Sequence, residues 1–381
     1  MIYLDNSATT FPKPPAVWQE MQNCLRFYSA NAGRGSHRYS VRAAAKIWET
    51  RERLARLFHV NAPQQISFML NCTDAINTGL WGVLKPGDDV IISDMEHNSI
   101  YRPAAYLAER GVRTLLCESD EAGMVSPEAI ERVLTPRTRM ICIQHASNVG
   151  GGINPIREIG HMARGKGILF MVDAAQTAGG VPIDAEKDAI DILAFSGHKG
   201  LLGPQGTGGL YVREGISLQP MRQGGTGSAS ESPQMPDFLP DRLESGTQNL
   251  PGIVGLGEGV AFVLRQGVSN IGRYERALSE RLWKGISGLP GVRLLGPYDM
   301  EKRTGVLAIE LTMRDPAEVA KLLDKRYGIA VRAGLHCAPL AARRFGIEKK
   351  GSLRFSPGVF NTMQEMEYTA RALGEILGAR A

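Results

Sequence analysis

The chain has 381 residues, enough for one large or two ordinary domains, and its 43% hydrophobic and 22% charged residues are typical of a globular protein. The net charge of +5 comes from 44 basic and 39 acidic residues spread along the chain, which argues against nucleic-acid binding. We expect no secretory signal and no membrane span, because the chain does not open on a basic region with an apolar core and no apolar run approaches about 18 residues. The five cysteines show no paired spacing, which predicts a reducing cytoplasm and neither a disulfide framework nor a metal site.

Short apolar runs alternate with helical stretches up to residue 212. The runs predict seven strands, Ile66–Leu70, Val90–Ile92, Val112–Cys117, Arg139–Gln144, Ile168–Val172, Ile190–Phe195 and Gly209–Val212. The other stretches predict helices that begin near Ala16, cover Val41–Phe58, end near Leu84, and cover Ile100–Arg110, Pro127–Leu134 (N-cap Ser126) and Ile156–Arg164. This alternation predicts an α/β fold with a mostly parallel seven-stranded sheet covered by helices.

The pattern changes in the second part of the chain. Gly224–Gly246 is rich in Gly, Ser and Pro, which predicts a long functional loop. Beyond it we predict a long helix and a smaller α+β domain, with the elements Gly259–Leu289, Val292–Leu295, Gly305–Leu311, Pro316–Tyr327, Ile329–Arg332, Ser352–Phe355 and Met363–Leu377. The predicted division is a large domain of residues 15–250 and a small domain of residues 1–14 and 251–381.

A lysine, Lys199, follows the apolar run that ends at Phe195. Desolvation and neighbouring charges can deprotonate such a lysine, and the neutral amine forms Schiff bases. The Ser196 hydroxyl, the His198 imidazole and backbone N–H groups could hold a phosphate beside it. A lysine that can form a Schiff base next to a phosphate-binding site indicates pyridoxal 5′-phosphate (PLP). Taken alone, a lysine after a strand is more often a solvated surface charge.

Polar residues follow four other predicted strands, where the ligands of a doubly wound sheet bind. Thr73 opens a helix and could bind phosphate or only cap the helix, and His97 could stack on a flat ring or be an ordinary loop histidine. Asp173 ends a buried strand and needs a partner, such as a protonated pyridine nitrogen, unless it caps the next helix. Gln176 could reach the phenolic oxygen of the ring, and Asn148 could bind that oxygen or a substrate carboxylate unless it is a turn residue. Their common position after strands favours one shared site.

Ordered motifs along the chain resemble the class V branch of fold-type I PLP enzymes and, within it, the cysteine desulfurases. The resemblance runs from Tyr3 to Thr362 and covers nearly the whole chain. Its motifs are Tyr3–Leu4–Asp5–Asn6, Ala30–Asn31…Arg34–Gly35…His37, Thr73–Asp74–Ala75–Ile76–Asn77, Met95–Glu96–His97–Asn98, Ser147–Asn148–Val149, Asp173–Ala174–Ala175–Gln176, Ser196–Gly197–His198–Lys199, Glu244–Ser245–Gly246–Thr247, Gly328–Ile329–Ala330–Val331–Arg332 and His336–Cys337–Ala338. The SUF-type (group II) subclass is most similar, because a cysteine follows an Arg-x-Gly stretch, here Arg332–Ala333–Gly334–Leu335–His336–Cys337.

The resemblance implies a role for each of these residues. Lys199 would carry PLP and move protons, and Cys337 would be the nucleophile. Around the ring, Asp173 would pair with the pyridine nitrogen, His97 would stack, and Gln176 would contact the phenolic oxygen. The implied phosphate contacts are Thr73, Ser196, His198 and, from the second subunit of a homodimer, Thr247. Cys72, also among the implied cofactor-binding residues, would lie close to the phosphate. The implied substrate contacts are Arg354 at the carboxylate, Asn148, Arg332 and His37.

The implied reaction converts L-cysteine to L-alanine. The thiolate of Cys337 attacks the substrate sulfur and holds it as a persulfide for an acceptor, such as a SufE-like or SufU-like protein. His336, Arg332 or the substrate would help this thiol to ionise. Two departures from the family pattern, Asn98 and Leu335 in place of histidines, could alter substrate preference or acceptor.

Other interpretations remain open. A selenocysteine lyase acting on L-selenocysteine would share the fold, as would another class V aminotransferase, lyase or epimerase. A catalytically silent scaffold could keep the fold and bind sulfur-transfer partners; it would not bind PLP. A Rossmann-type dinucleotide enzyme is disfavoured, because no G-x-G-x-x-G opens a helix after the first strand.

Overall fold

The computed structural model describes residues 1–33 and 35–378. Its strands are β1 (Ile2–Tyr3), β2 (Ile66–Met69), β3 (Asp89–Ser93), β4 (Arg113–Cys117), β5 (Thr138–Gln144), β6 (Leu169–Asp173), β7 (Ile192–Ser196), β8 (Gly208–Val212), β9 (Val292–Leu295), β10 (Leu307–Leu311), β11 (Ile329–Ala330), β12 (Arg332–Gly334) and β13 (Ser352–Phe355). Its helices are α1 (Pro15–Phe27), α2 (Arg38–Leu57), α3 (Cys72–Val83), α4 (Asn98–Ala108), α5 (Pro127–Glu131), α6 (Ile156–Gly165), α7 (Leu250–Gln266), α8 (Val268–Ile286), α9 (Pro316–Tyr327), α10 (Pro339–Arg344) and α11 (Met363–Leu377), and short 3-10 helices cover Pro63–Gln65 and Met300–Lys302.

The largest sheet has seven strands in the order β2-β8-β7-β6-β5-β3-β4. Strands β3 to β7 are parallel, and β8 runs antiparallel to both β7 and β2. Phe170 and Val172 of β6 belong to one apolar cluster with α2, α6 and α7, whereas Met171 belongs to another with α3 and α4. Successive side chains of a strand point to opposite faces, so helices cover both faces of this sheet. The predicted α/β fold is confirmed.

The predicted helix Gly259–Leu289 is wrong, because two helices, α7 and α8, cover that region. They meet at Gly267, whose φ of 83° is incompatible with a continuing right-handed helix. The predicted strand Ile329–Arg332 is also divided, since β11 pairs with β1 while β12 pairs with β13. The N-cap prediction is confirmed, because the Ser126 side chain accepts a hydrogen bond from the backbone of Ala129.

A second, antiparallel sheet has the strand order β12-β13-β10-β9 and packs with α8, α9 and α11 around its own apolar cluster. The predicted domain boundary at residue 250 stays a prediction. Helix α7, which follows that boundary, packs in the core of the large sheet. Residues 224–246 form a loop without helix or strand. Among the described helices, none combines the length and the apolar character that a membrane crossing requires.

Candidate active site

The carboxyl ends of β2, β3, β5, β6 and β7 lie at one edge of the large sheet. The residues that follow these strands surround a cavity of about 330 Å³. Its lining is Asn71, Cys72, Thr73, His97, Ser99, Gln144, Ala146, Asn148, Asp173, Ala175, Gln176, Ser196, His198 and Lys199. The residues predicted from the strand ends therefore surround one space, as expected for a doubly wound sheet.

Asp173 ends β6 and is 5% exposed. Its Oδ1 accepts hydrogen bonds from the Ala175 backbone at 2.8 Å and from the Cys72 thiol at 3.3 Å, and its Oδ2 accepts one from the Ser99 hydroxyl at 3.4 Å. Burial and the charge of Asp173 raise the pKa of the Cys72 thiol well above its usual value, so this thiol remains protonated. Cys72, which we expect to lie near the phosphate, thus touches the residue that we expect to meet the pyridine nitrogen.

Lys199 lies just beyond β7, lines the cavity and is half-buried. Burial lowers the pKa of its ammonium group, the carboxylate of Asp173 partly opposes this change, and the guanidinium groups of Arg354 and Arg332 add to it. The Lys199 carbonyl accepts a hydrogen bond from the Thr10 hydroxyl at 3.1 Å, which fixes the backbone. A lysine with a lowered pKa is neutral for a larger fraction of the time, and the neutral amine is the nucleophile.

Two histidines of the cavity are held neutral by burial, which lowers the pKa of both His97 and His198 to about 4. His97 is the N-cap of α4, and its Nδ1 accepts a hydrogen bond from the backbone of Ser99 at 3.0 Å, so the ring orientation is fixed. Within the described residues, Nδ1 of His198 and Oδ1 of Asn148 are buried without a hydrogen-bond partner. Buried polar atoms are almost always paired, so these two atoms indicate a ligand in the cavity.

Arg354 lies in β13 and is 1% exposed. Its Nη1 donates a hydrogen bond to the Asn148 carbonyl at 3.0 Å, and its Nη2 donates one to Oδ1 of Asp5 at 2.8 Å. Its Nε is buried and has no partner in the part of the chain that the structure describes. Arg332 faces Arg354 in the register of β12 and β13. Arg354 and Arg332 do not line the cavity, but Arg354 contacts its wall through Asn148.

Cys337 is exposed on the loop between β12 and α10. Its φ is 58° and that of His336 is 52°, a left-handed conformation that is uncommon outside glycine. The Cys337 carbonyl accepts a hydrogen bond from the Asn98 backbone at 2.8 Å, and the His336 carbonyl accepts one from Nδ2 of Asn148 at 2.7 Å. The loop that carries the predicted nucleophile is therefore anchored to segments that form the cavity wall.

The predicted helpers of the Cys337 thiol differ in position. Nη2 of Arg332 lies 3.5 Å from Sγ, within reach of a hydrogen bond to sulfur. The ring of His336 instead contacts the Ser352 hydroxyl, at 2.9 Å from Nε2, and burial lowers its pKa to about 3. A neutral ring that contacts Ser352 supplies no positive charge, so the geometry favours Arg332 as the group that stabilises a thiolate. The other cysteines, Cys24, Cys72, Cys117 and Cys142, are buried.

Two predicted site residues lie away from the cavity. His37 is an exposed N-cap of α2, where its Nδ1 accepts a hydrogen bond from Ser40 at 3.3 Å. Thr247 is exposed beside a separate cavity of about 210 Å³. Arg34, in the same motif as His37, lies outside the described residues. Neither His37 nor Thr247 joins the site within one chain.

Two carboxyl groups near the cavity, the buried Glu96 and the Arg354-paired Asp5, have no role in the predictions from the sequence. Glu96 lies directly before His97, accepts hydrogen bonds from the Ser93 hydroxyl and the Gln144 backbone, and has its pKa raised to about 8 by burial. The available signal was the same as for Asp173, a carboxylate that follows an apolar strand. Asp5 is the second, and its contact with Arg354 left no local signal in the sequence.

The sequence and the structure both match known proteins. The chain matches the family model of the class-V aminotransferases over residues 2–369. A probable cysteine desulfurase of Methanothermobacter thermautotrophicus is 35% identical over 383 residues, which cover 99% of this chain and 95% of the relative.

Two solved structures of cysteine desulfurases are similar over 100% of this chain and 95% of their own. The apo structure from Thermococcus onnurineus has a TM-score of 0.92 at 32% identity. The structure of CsdA from Escherichia coli, in an S-sulfonic acid form, has a TM-score of 0.88 at 27% identity. These matches confirm the resemblance stated from the sequence, and the assignment to the SUF-type subclass stays a prediction.

Proposed function

This chain belongs to the class-V aminotransferase family, and we propose that it is a cysteine desulfurase that converts L-cysteine to L-alanine and retains the sulfur on Cys337. One observation carries this proposal. A half-buried lysine and a buried aspartate face one cavity, and the loop with the exposed cysteine is anchored to the wall of that cavity through Asn148.

The cavity residues fit PLP, on which this family depends. Lys199 would hold the aldehyde carbon, Asp173 the ring nitrogen, and His97 the ring face. Thr73 at the start of α3, together with Ser196 and His198, would bind the phosphate, which supplies acceptors for the unpartnered Nδ1 of His198 if that nitrogen is protonated. When bound, PLP supplies an electron sink for the pair released at the substrate Cα.

The residues of the chain divide the remaining tasks. Arg354 would receive the substrate carboxylate at its unpartnered Nε, and the neutral Lys199 amine would take and return the proton of Cα. The Cys337 thiolate, beside Arg332, would attack the substrate sulfur. An S–S bond forms, the S–Cβ bond breaks with its electron pair left on carbon, and protonation of that carbon leads to L-alanine.

We further propose a cytoplasmic homodimer that hands its sulfur to a SufE-like or SufU-like thiol protein. The exposure of Thr247 and His37, away from the cavity of their own chain, supports a role at the site of a second subunit. The exposure of Cys337 supports delivery to an external acceptor. Five cysteines without disulfide partners, all within the described residues, are in keeping with a reducing compartment.

The test is to load the purified protein with PLP, add L-cysteine, and measure alanine while mapping persulfide by mass spectrometry. We expect one alanine per sulfur released and a persulfide on Cys337. The four buried cysteines serve as internal controls and should remain unmodified. Alanine formation without any modification of Cys337, or no alanine at all, would contradict the proposal.

A further inference from the structure

The carboxylate of Asp5 makes the only ion pair of Arg354 among residues 1–33 and 35–378. The two side chains are joined by 2.8 Å between Oδ1 and Nη2, although they are 349 positions apart in the chain. The Arg354 side chain is 1% exposed and that of Asp5 is 22% exposed, so the pair is shielded from solvent mainly on the arginine side.

The backbone around Asp5 is fixed on both sides. The Leu4 N–H donates to the Ala330 carbonyl at 2.9 Å, and the Ser356 N–H donates to the Leu4 carbonyl at 2.7 Å. Asp5 itself forms a parallel bridge with Ser356, two residues beyond Arg354. The N-terminal segment thus lies between β11 and the end of β13, and it brings Asp5 to the guanidinium in one defined position.

The positive charge of Arg354 is otherwise poorly compensated. Burial lowers the pKa of this guanidinium, Asp5 opposes that change, and the neighbouring Arg332 adds to the lowering. Apart from Asp5, Arg354 donates a hydrogen bond to the Asn148 carbonyl, and its Nε has no partner among the residues that the structure describes. One carboxylate therefore holds Nη2, one carbonyl holds Nη1, and the Nε edge is left for a ligand.

We propose that Asp5 is a positioning residue for the substrate, which orients the Arg354 guanidinium so that its Nε edge remains available to the α-carboxylate. This rests on the proposed function, in which Arg354 receives that carboxylate. Without Asp5, Nη2 would lose its partner and the planar group could rotate about its last torsions. Recognition of the carboxylate would weaken, whereas recognition of the amino group at Lys199 would not.

The experiment compares two amines that differ only by the carboxylate, L-alanine and ethylamine. Each is titrated into the PLP-loaded protein, and binding is followed by the change in cofactor absorbance. Asp5→Ala should weaken L-alanine binding about tenfold, and Asp5→Asn, which keeps a neutral acceptor, about threefold, as expected for loss of a charge-assisted hydrogen bond. Ethylamine binding should stay within about twofold in both variants. Glu310→Gln is the matched control, since it breaks the exposed Arg293–Glu310 pair in the same sheet and should alter neither titration.

Unchanged L-alanine binding in the Asp5 variants would overturn the inference while leaving the proposed function intact. Equal loss of both ligands would also overturn it, because that result assigns Asp5 a general structural role. If Asp5→Ala does not fold, as judged by circular dichroism, the milder Asp5→Asn decides by the same criterion. Failure of the unsubstituted protein to bind either amine would instead reject the proposed function, and this inference with it.

Discussion

Lys199 lines the candidate site and Cys337 lies on a loop anchored to its wall, and the two residues are held in contrasting ways. Lys199 lies just beyond a strand of the seven-stranded sheet and is half-buried in the cavity, among groups whose pKa values burial has shifted. Cys337 is exposed on a loop with two left-handed residues, and its backbone is held by hydrogen bonds to other segments. Burial shifts the pKa values of the groups around Lys199, whereas the thiol of Cys337 is accessible from solvent.

This contrast separates the two halves of the chemistry. Burial in the cavity wall keeps the imidazoles of His97 and His198 neutral near neutral pH and lowers the pKa of the Lys199 ammonium group, which an exposed loop cannot do. The exposed thiol of Cys337 is accessible to another protein, whereas Lys199 lies within the cavity. Substitutions on the wall should therefore remove every activity, and substitutions on the loop should remove only sulfur transfer.

The largest effect is expected for Lys199→Ala. Alanine formation from L-cysteine should fall by about 10²–10⁴ or more, because the proton-transferring amine is lost, and the visible absorbance of PLP should disappear on dialysis. Borohydride reduction followed by peptide mapping measures the covalent link directly. Lys166→Ala, at an exposed pair with Glu131, is the control and should retain both properties. Labelling of another lysine would contradict the assignment of Lys199 as the residue that binds PLP covalently.

Cys337→Ser should abolish sulfur release from L-cysteine but leave PLP absorbance and amine binding unchanged. Much of the cleavage of L-selenocysteine should remain, because the C–Se bond is weaker and depends less on an enzyme thiol. Product assays on both substrates measure this difference, with Cys24→Ser as a control at a buried cysteine. Equal activity of the variant and the unsubstituted protein on L-cysteine would contradict the assignment of Cys337 as the nucleophile.

Arg303, which connects the loop at Gly150 to the smaller sheet, is the next test. It is completely buried and donates hydrogen bonds to the carbonyls of Gly150, Leu295, Pro297 and Val306. Arg303→Met should lower the free energy of unfolding by about 2–4 kcal/mol, because these buried carbonyls lose their donor.

Urea denaturation of the PLP-free protein measures this loss. Arg281→Met, at the exposed pair with Glu367, should change stability by less than about 1 kcal/mol. Similar losses in the two variants would show that Arg303 is not a special connection between the loop at Gly150 and the strands of the smaller sheet.

The smallest expected effect is a loss of stability at acidic pH. Burial lowers the pKa of His145, next to the cavity wall, to about 3 from its ordinary 6.5. Below pH 6.5 the unfolded chain binds a proton that the folded chain does not, so stability is lost as the pH falls towards 3. This histidine alone should reduce the free energy of unfolding by roughly 2 kcal/mol between pH 7 and pH 5.

Urea denaturation at the two pH values measures that change, and His145→Gln should reduce it by the same amount. His161→Gln, at an exposed histidine, should leave the pH dependence unchanged. A pH dependence that is identical in the protein and in His145→Gln would show that burial does not hold this imidazole neutral.

The same contrast explains what the sequence could predict. Asp173, His97 and Lys199 each follow an apolar run, so a sheet topology was sufficient to bring them together. Cys337 depends on short strands and on two left-handed residues, which have no periodic signal, and only the resemblance to a family pointed to it. The break at Gly267 was missed because helical periodicity continues on both sides of it. The Asp5–Arg354 pair joins distant segments and is visible only in the structure.

The pairing of Asp5 with a strand near the other end of the chain has a consequence for synthesis on the ribosome. The wall with Lys199 is encoded within the first 212 residues, whereas β13 follows only at residue 352. A nascent chain of that length therefore carries Lys199 and the strands of its large sheet but cannot yet form the Asp5–Arg354 pair. The contact between the first residues and β13 thus forms only near the end of synthesis.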